Sequence, residues 1–194
     1  MKYRSILLFG APGSGKGTQG RVLAELPGIF YFASGDAFRA LKDDDPLAKK
    51  FRDYSNRGEL VPDDLTVELC CQHIKSREGD GGFQPENDWL LLDGIPRNPE
   101  QVNMMFETID VRAILHLACP DIEPIVERII KRAAIEGRQD DANEDVVRNR
   151  FATYTRETEP VLEQYDASLR HDINGTQTPI EVCADIMQVL KSLG

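Results

Sequence analysis

The segment Gly10-Ala-Pro-Gly-Ser-Gly-Lys-Gly-Thr18 combines residue types that can hold phosphate groups. Its glycines let the backbone curl so that successive N–H groups point inward, and a helix N-terminus behind them adds a favourable dipole. The apolar run Ser5 to Phe9 precedes the segment, and a preceding strand is the context that this motif requires. The sequence therefore predicts a nucleoside triphosphate site that comprises Gly13, Ser14, Gly15, Lys16, Gly17 and Thr18.

Metal binding is expected to depart from the usual form of this loop. The residue after Lys16 is Gly17 instead of Ser or Thr, and the hydroxyl comes one position later, at Thr18. We therefore expect Mg²⁺ to be held by nucleotide oxygens and by waters on carboxylates. Asp93, at the end of an apolar run, and Asp36 are the candidates. A helix cap is the alternative role for an Asp at a strand end.

Short apolar runs alternate with longer amphipathic segments along the whole chain. This pattern predicts an α/β fold of the P-loop NTPase type, with a five-stranded parallel sheet and helices on both faces. The predicted strands are Ser5 to Phe9, Ile29 to Phe32, Trp89 to Leu92, Ala113 to Ala118 and Leu169 to Ile173. The predicted helices are Gly15 to Leu26, Pro46 to Asn56, Asp63 to Arg77, Pro99 to Glu107, Ile122 to Ala134, a pair within Asn143 to Tyr165, and Pro179 to Leu193.

Two polar stretches are not predicted to belong to the buried core. Asp43 to Asp64 has only scattered apolar residues, which indicates a small helical excursion that packs lightly and can move. Ala133 to Asn143 is short, polar and contains Gly137, so we expect a loop between two helices. A chain of 194 residues is otherwise long enough for one sizeable core and too short for two ordinary domains, so residues 1–194 are predicted to form a single domain.

Composition excludes several classes of function. The net charge of −10 argues against a protein that coats nucleic acid or an anionic membrane, since both need a broad basic surface. The four cysteines form no CxxC pair, so we expect reduced thiols, with neither a disulfide framework nor a zinc site. No apolar stretch approaches the length of a membrane span. A reducing cytoplasm is the expected location.

Several further motifs, in order and at family-like spacing, extend the phosphate loop into a resemblance that covers almost the full chain. The chain resembles the nucleoside monophosphate kinases, and within them the adenylate kinase family with a short lid. The motifs that carry the resemblance are Gly10 to Gln19, Ser34-Gly-Asp-Ala-Phe-Arg39, Gly58-Glu-Leu-Val-Pro-Asp63, Leu92-Asp-Gly-Ile-Pro-Arg-Asn-Pro-Glu-Gln101, Arg128-Ile-Ile-Lys-Arg132, Gly137-Arg-Gln-Asp-Asp141 and Arg148-Asn-Arg150.

The resemblance implies a second nucleotide site opposite ATP, with AMP as acceptor and ADP as product. It places acceptor binding at Ser34, Arg39, Glu59, Leu60, Val61, Gly94, Ile95, Pro96, Arg97, Gln101, Arg138 and Arg150. On the ATP side it adds Arg128, Arg132 and Gln177 to the phosphate loop. The residues it implies for catalysis are Lys16, Arg97, Arg132, Arg138 and Arg150. It also implies an acceptor-binding excursion at about 34–64, a short lid at about 132–143 without a zinc site, and a monomer.

Elementary chemistry agrees with this arrangement. Two polyanions must meet and the transferred group spreads charge over its oxygens, so cations and Mg²⁺ are needed instead of a covalent nucleophile. The attacking phosphate oxygen is already ionised near neutral pH, so we expect no general base. Water would hydrolyse ATP in an open site, and closure over both nucleotides is therefore a mechanistic need.

The acceptor base depends on few positions. The amide of Gln101 can pair with the N1 and N6 edge of adenine, whereas the UMP/CMP-type enzymes tend to have Asn there. Ser34 has a hydroxyl where those enzymes tend to have Ala. Both residues favour AMP. Against this, Pro96-Arg-Asn98 locally resembles the pyrimidine type, and Ile95 replaces the aromatic residue that usually precedes Pro96 in the family. UMP/CMP kinase is therefore the alternative acceptor specificity. A non-catalytic nucleotide sensor is the alternative from another class, whereas a GTPase is excluded because no Asn/Thr-Lys-x-Asp motif occurs.

Overall fold

The computed structural model describes residues 2–136 and 143–193, with the backbone alone for residues 132 and 134–136. Five parallel strands form one sheet in the order β2-β3-β1-β4-β5. Their bounds are β1 Tyr3–Gly10, β2 Ile29–Ala33, β3 Trp89–Asp93, β4 Ile109–Ala118 and β5 Arg170–Asn174. All five strands were predicted, and the fold class is confirmed.

Eight α-helices lie within the part of the chain that the structure describes. They are α1 Lys16–Ala24, α2 Ser34–Arg39, α3 Pro46–Ser55, α4 Asp63–Gly79, α5 Pro99–Met105, α6 Glu123–Glu136, α7 Glu144–Thr153 and α8 Pro179–Ser192. Helix α6 reaches Glu136, so the loop expected from Ala133 begins later than predicted. The rest of the predicted lid lies largely at 137–142, outside the described residues.

Both faces of the sheet are buried, as a parallel sheet requires. Side chains alternate along β1: Leu7 and Phe9 belong to a core cluster that α4 and α5 cover, whereas Ile6 and Leu8 belong to one that α1 and α8 cover. The apolar runs read as strands because both of their faces are inside.

Two local features differ from the sequence prediction. Helix α2 was not predicted, because its six residues are too few to show a helical period. The second helix expected within Asn143 to Tyr165 is present but is not an α-helix: a π-helical turn, Tyr154–Thr158, leads into a 3₁₀ helix, Glu159–Gln164. Pro160 lies in the first turn of the latter. Proline lacks the N–H that a continuing α-helix needs, and this explains the change of helix type.

Candidate active site

The phosphate loop lies between β1 and α1, where the sequence placed it. Gly13 and Gly15 have left-handed backbones, with φ of 75° and 103°. A Cβ at Gly13 would lie 2.5 Å from Ile125 of α6, so this glycine is needed both for the turn and for close packing. Ser14 Oγ is buried and has no hydrogen-bond partner among the described residues. An unpaired polar atom inside an anion-binding loop is available to form a hydrogen bond with a ligand oxygen.

Lys16 is held inside this loop. Its Nζ donates to the carbonyl oxygens of Gly10 at 2.6 Å and Ala11 at 3.0 Å. Burial lowers the pKa of Lys16 from 10.5 to about 8, with the charge of Asp93 acting in the opposite direction and Arg97 adding to the decrease. The site therefore holds a cation whose charge is stabilised by an incoming anion.

The carboxylate of Asp93 ends β3 beside the loop. Its Oδ2 accepts a hydrogen bond from Tyr31 Oη at 2.9 Å, and burial raises its pKa while the charge of Lys16 opposes that shift. Asp36 is half exposed and pairs with Arg39 at 2.7 Å. Within residues 2–136 and 143–193, no three His, Cys, Asp or Glu side chains converge as a metal site. A metal here would therefore need oxygens from a ligand as well.

Two cavities meet at the carboxyl edge of the sheet. The phosphate-loop cavity is lined by all six predicted loop residues and by Asp36, Asp93, Arg128 and Gln177. The adjacent cavity is lined by Ser34, Glu59, Leu60, Val61, Gly94, Ile95, Pro96 and Gln101. Four cationic side chains line both cavities: Lys16, Arg39, Arg97 and Arg150.

A short turn after β3 builds the wall of the adjacent cavity. The Ile95–Pro96 peptide bond is cis, and Gly94 has φ of 73°. Ser34 Oγ and Arg97 Nε both donate to the Gly94 carbonyl oxygen at 2.7 Å. A Cβ at Gly94 would lie 2.7 Å from Arg97 Nη2, so glycine leaves room for the guanidinium. Burial lowers the pKa of Arg97 to about 10, which leaves it charged at neutral pH.

The remaining predicted arginines have different outcomes. Arg128 lines the phosphate-loop cavity. The side chains of Arg132 and Arg138 lie outside the described residues, so their roles stay predictions. Arg148 lines neither cavity and instead pairs with Glu123 at 2.9 Å on the surface, although it shares a motif with Arg150.

Sequence reasoning missed several residues that line the adjacent cavity. Phe38 and Phe51 stack with ring centroids 5.0 Å apart and bring α2 and α3 together on one side of it. Thr66, from α4, and Tyr154 with Thr158, from the π-helical turn, also line it. Phe38 and Phe51 could have been identified in the sequence as apolar residues within polar segments. Tyr154 and Thr158 carry no such signal, because nothing in the sequence predicts the π-helical turn that holds them.

The fold and the two cavities define a class of protein. A phosphate loop after the central strand of a parallel sheet, facing a second cavity across shared cations, is the arrangement of a P-loop nucleotide phosphotransferase. No described helix is both long and apolar enough to span a membrane. All four cysteines are free thiols in the structure, and Cys70 is buried.

Comparison with known proteins makes the class specific. Residues 8–169 match the family model described as adenylate kinase. The chain is 36% identical to the adenylate kinase of Micrococcus luteus over 97% of this chain and 91% of that protein. It is 31% identical to that of Flavobacterium psychrophilum, over 97% and 99% of the two chains. It is 35% identical to adenylate kinase 1 of Synechocystis sp., over 96% of each. The chain belongs to the adenylate kinase family, which confirms the resemblance seen in its motifs.

Proposed function

We propose that this chain catalyses the reversible, Mg²⁺-dependent transfer of the terminal phosphoryl group of ATP to AMP, giving two ADP. The observation that carries the proposal is the sharing of Lys16, Arg39, Arg97 and Arg150 between the two cavities. Shared cations place the anionic ends of two nucleotides against each other. A passive sensor of one nucleotide has no need of a second cationic cavity on the same wall.

ATP occupies the phosphate-loop cavity in this proposal. Loop N–H groups and Lys16 hold its outer phosphates, Arg128 adds positive charge, and the segment at Gln177 lies against its base. Gln177 Nε2 already donates to Asp185 at 2.8 Å, so contact with the adenine falls to the backbone of this segment. Mg²⁺ bound with ATP would be held through water by Asp93 and Asp36 and would neutralise phosphate charge.

AMP occupies the adjacent cavity, with its phosphate toward Arg39 and Arg97 and its base toward Gln101. An oxygen of the AMP phosphate attacks the terminal phosphorus of ATP, and the bond from that phosphorus to the bridging oxygen breaks, so that both products are ADP. Lys16, Arg97 and Arg150 surround the place where equatorial charge grows. No side chain has to remove a proton. Arg132 and Arg138 are proposed to close over the same phosphates from the lid, and residues 34–64 from the other side.

We also propose a cytoplasmic monomer whose partners are nucleotides and which lacks a zinc site. The net charge of −10 supports the absence of nucleic-acid and membrane partners. Size-exclusion chromatography with light scattering should give one chain per particle, and metal analysis of the purified protein should give no stoichiometric zinc.

A coupled assay tests the reaction and its acceptor together. ATP and Mg²⁺ mixed with AMP, UMP or CMP in one preparation should give ADP rapidly with AMP, and kcat/KM for AMP should exceed that for either pyrimidine. Intact ATP binding without turnover would establish the sensor instead. Faster turnover with UMP or CMP would establish the UMP/CMP kinase alternative instead.

Binding of ATP should weaken above about pH 8. The unliganded protein loses the Lys16 proton there, since its pKa is about 8, whereas a bound polyanion favours the charged form. Binding must then take up a proton, and the apparent Kd should rise up to about ten-fold per pH unit. Calorimetry from about pH 7.5 to 9.5 in two buffers of different ionisation enthalpy measures both effects.

Lys16→Arg is the matched control for this pH dependence, because a guanidinium stays charged throughout that range. Its apparent Kd should be flat from pH 7.5 to 9.5 even if its affinity is lower. A wild-type Kd that is equally flat would show that Lys16 remains fully charged in the unliganded site.

A further inference from the structure

One carboxylate holds the Gln101 amide, which lies in the wall of the adjacent cavity. Asp63 is the first residue of α4, and its Oδ1 accepts hydrogen bonds from Gln101 Nε2 at 2.7 Å and from Asn98 Nδ2 at 2.8 Å. On its other side, Gln101 Oε1 accepts the backbone N–H of Arg97 at 2.8 Å. The Gln101 side chain is buried, and it lines the adjacent cavity.

These partners allow only one orientation of the amide. A carboxylate can only accept and a peptide N–H can only donate, so Nε2 must face Asp63 and Oε1 must face Arg97. A rotation of 180° about the last side-chain bond would bring Oε1 against the Asp63 carboxylate, where both groups are acceptors. It would also bring Nε2 against the Arg97 N–H, where both groups are donors. The fixed amide still has one N–H and one oxygen lone pair for a ligand.

The order of that donor and acceptor matters for a purine. The edge of adenine presents a donor at the 6-amino group and an acceptor at N1, and a 6-oxo purine presents the reverse, an acceptor at O6 and a donor at N1. A fixed amide can satisfy one order and leaves the other unpaired, whereas an amide that can rotate satisfies both. Unpaired buried polar groups are what makes such discrimination strong.

We propose that Asp63 is a positioning residue which fixes the orientation of the Gln101 amide and so selects 6-amino over 6-oxo purine monophosphates. This inference rests on the proposed function. Asp63 does not line the adjacent cavity and acts through Gln101. Asn98 makes a second connection to the same carboxylate and also caps α5, since its Oδ1 accepts the Gln101 backbone N–H at 2.8 Å. A purely structural role for Asp63 would be to join the first turns of α4 and α5.

Steady-state kinetics with AMP and inosine monophosphate distinguish the two roles. In Asp63→Ala, the ratio of kcat/KM for AMP to that for inosine monophosphate should fall about ten-fold, because only the Arg97 backbone N–H then opposes rotation of the Gln101 amide. KM for AMP should rise while kcat changes little. Asp63→Asn should keep the wild-type ratio, because its oxygen can still accept from both amides. Asp64→Ala is the matched control: it removes an exposed carboxylate one residue along and should change nothing.

A double-mutant cycle adds a measurement that a structural role would not produce. Gln101→Ala should lose the same selectivity, and Asp63→Ala added to it should lose no more. If Asp63→Ala does not fold, Asp63→Ser replaces it. A rotatable hydroxyl can accept from Gln101 Nε2 or donate to Gln101 Oε1, so this variant should also lower the ratio of kcat/KM for AMP to that for inosine monophosphate. A folded Ala or Ser variant with the wild-type ratio, or an equal further loss in the Gln101→Ala background, would overturn the proposal. A wild-type protein that makes no ADP from ATP and AMP would instead refute the proposed function.

Discussion

Lys16→Ala is expected to lower kcat by about 10²–10³-fold, the usual effect of removing one preorganised group that stabilises transition-state charge. Lys16 lines both cavities, so its charge lies close to the transferred group in either direction of the reaction. The fold should persist. Burial already disfavours the charged form of Lys16, and water in the cavity can replace its bonds to the Gly10 and Ala11 carbonyl oxygens.

The measurement is kcat in both directions, together with the melting temperature. Lys131→Ala is the control, because this lysine of α6 is 77% exposed and its pair with Glu127 is long, at 3.4 Å. It should change neither quantity. Near-normal kcat in Lys16→Ala would contradict the role of the phosphate-loop lysine, and a large fall in melting temperature would show that Lys16 supports the loop structure.

Arg97→Ala should lower kcat/KM for AMP by about 10²–10³-fold, and more than it lowers kcat/KM for ATP. Its guanidinium lines both cavities, and its Nε is held by the Gly94 carbonyl oxygen at 2.7 Å, so the charge is fixed in place before either nucleotide binds. Arg97→Lys keeps the charge but loses the planar fork, and should recover only part of the activity.

Initial rates at saturating ATP with varied AMP, then the reverse, separate the two effects of this substitution. Arg112→Ala is the control for loss of an arginine, since Arg112 is 59% exposed and pairs with Asp110 at the surface. A value of kcat/KM for AMP within a few-fold of wild type in Arg97→Ala would remove Arg97 from the acceptor site. Full recovery in Arg97→Lys would show that charge alone is enough.

The central strands were predictable because they lie inside the sheet with both of their faces buried. Ile6, Leu8 and Leu91 are buried on one face of the sheet and Leu7 and Leu92 on the other, so apolar runs bounded by turn residues identify them without any partner. Helix α2 and the π-helical turn were not predictable. A six-residue helix shows no period, and the change of helix type before Pro160 depends on packing as well as on the proline itself.

Within the site, the sequence predicted the features that depend on a few neighbouring residues. The phosphate loop is one turn of chain between a strand and a helix, and its position and φ angles agree with what its glycines indicated. Asp63 was seen only as part of a motif. Its bonds to Asn98 and Gln101 join residues 35 and 38 positions apart, and no pattern in the sequence pairs them.

The strands, most of the helices, the phosphate loop and the family could be read from the sequence, because these depend on burial pattern and on motifs of neighbouring residues. The resemblance also suggested which cations act together, but their positions on two adjoining cavities became visible only in the folded chain. β3 lies beside β1 in the sheet, so the turn that carries Arg97 lies next to the loop that carries Lys16, and α7 adds Arg150 from far along the chain. Arg148, two residues away on the same helix, faces Glu123 instead. Strand order and helix rotation are set by packing of the whole core, and this is why the shared cationic wall could be located only in three dimensions.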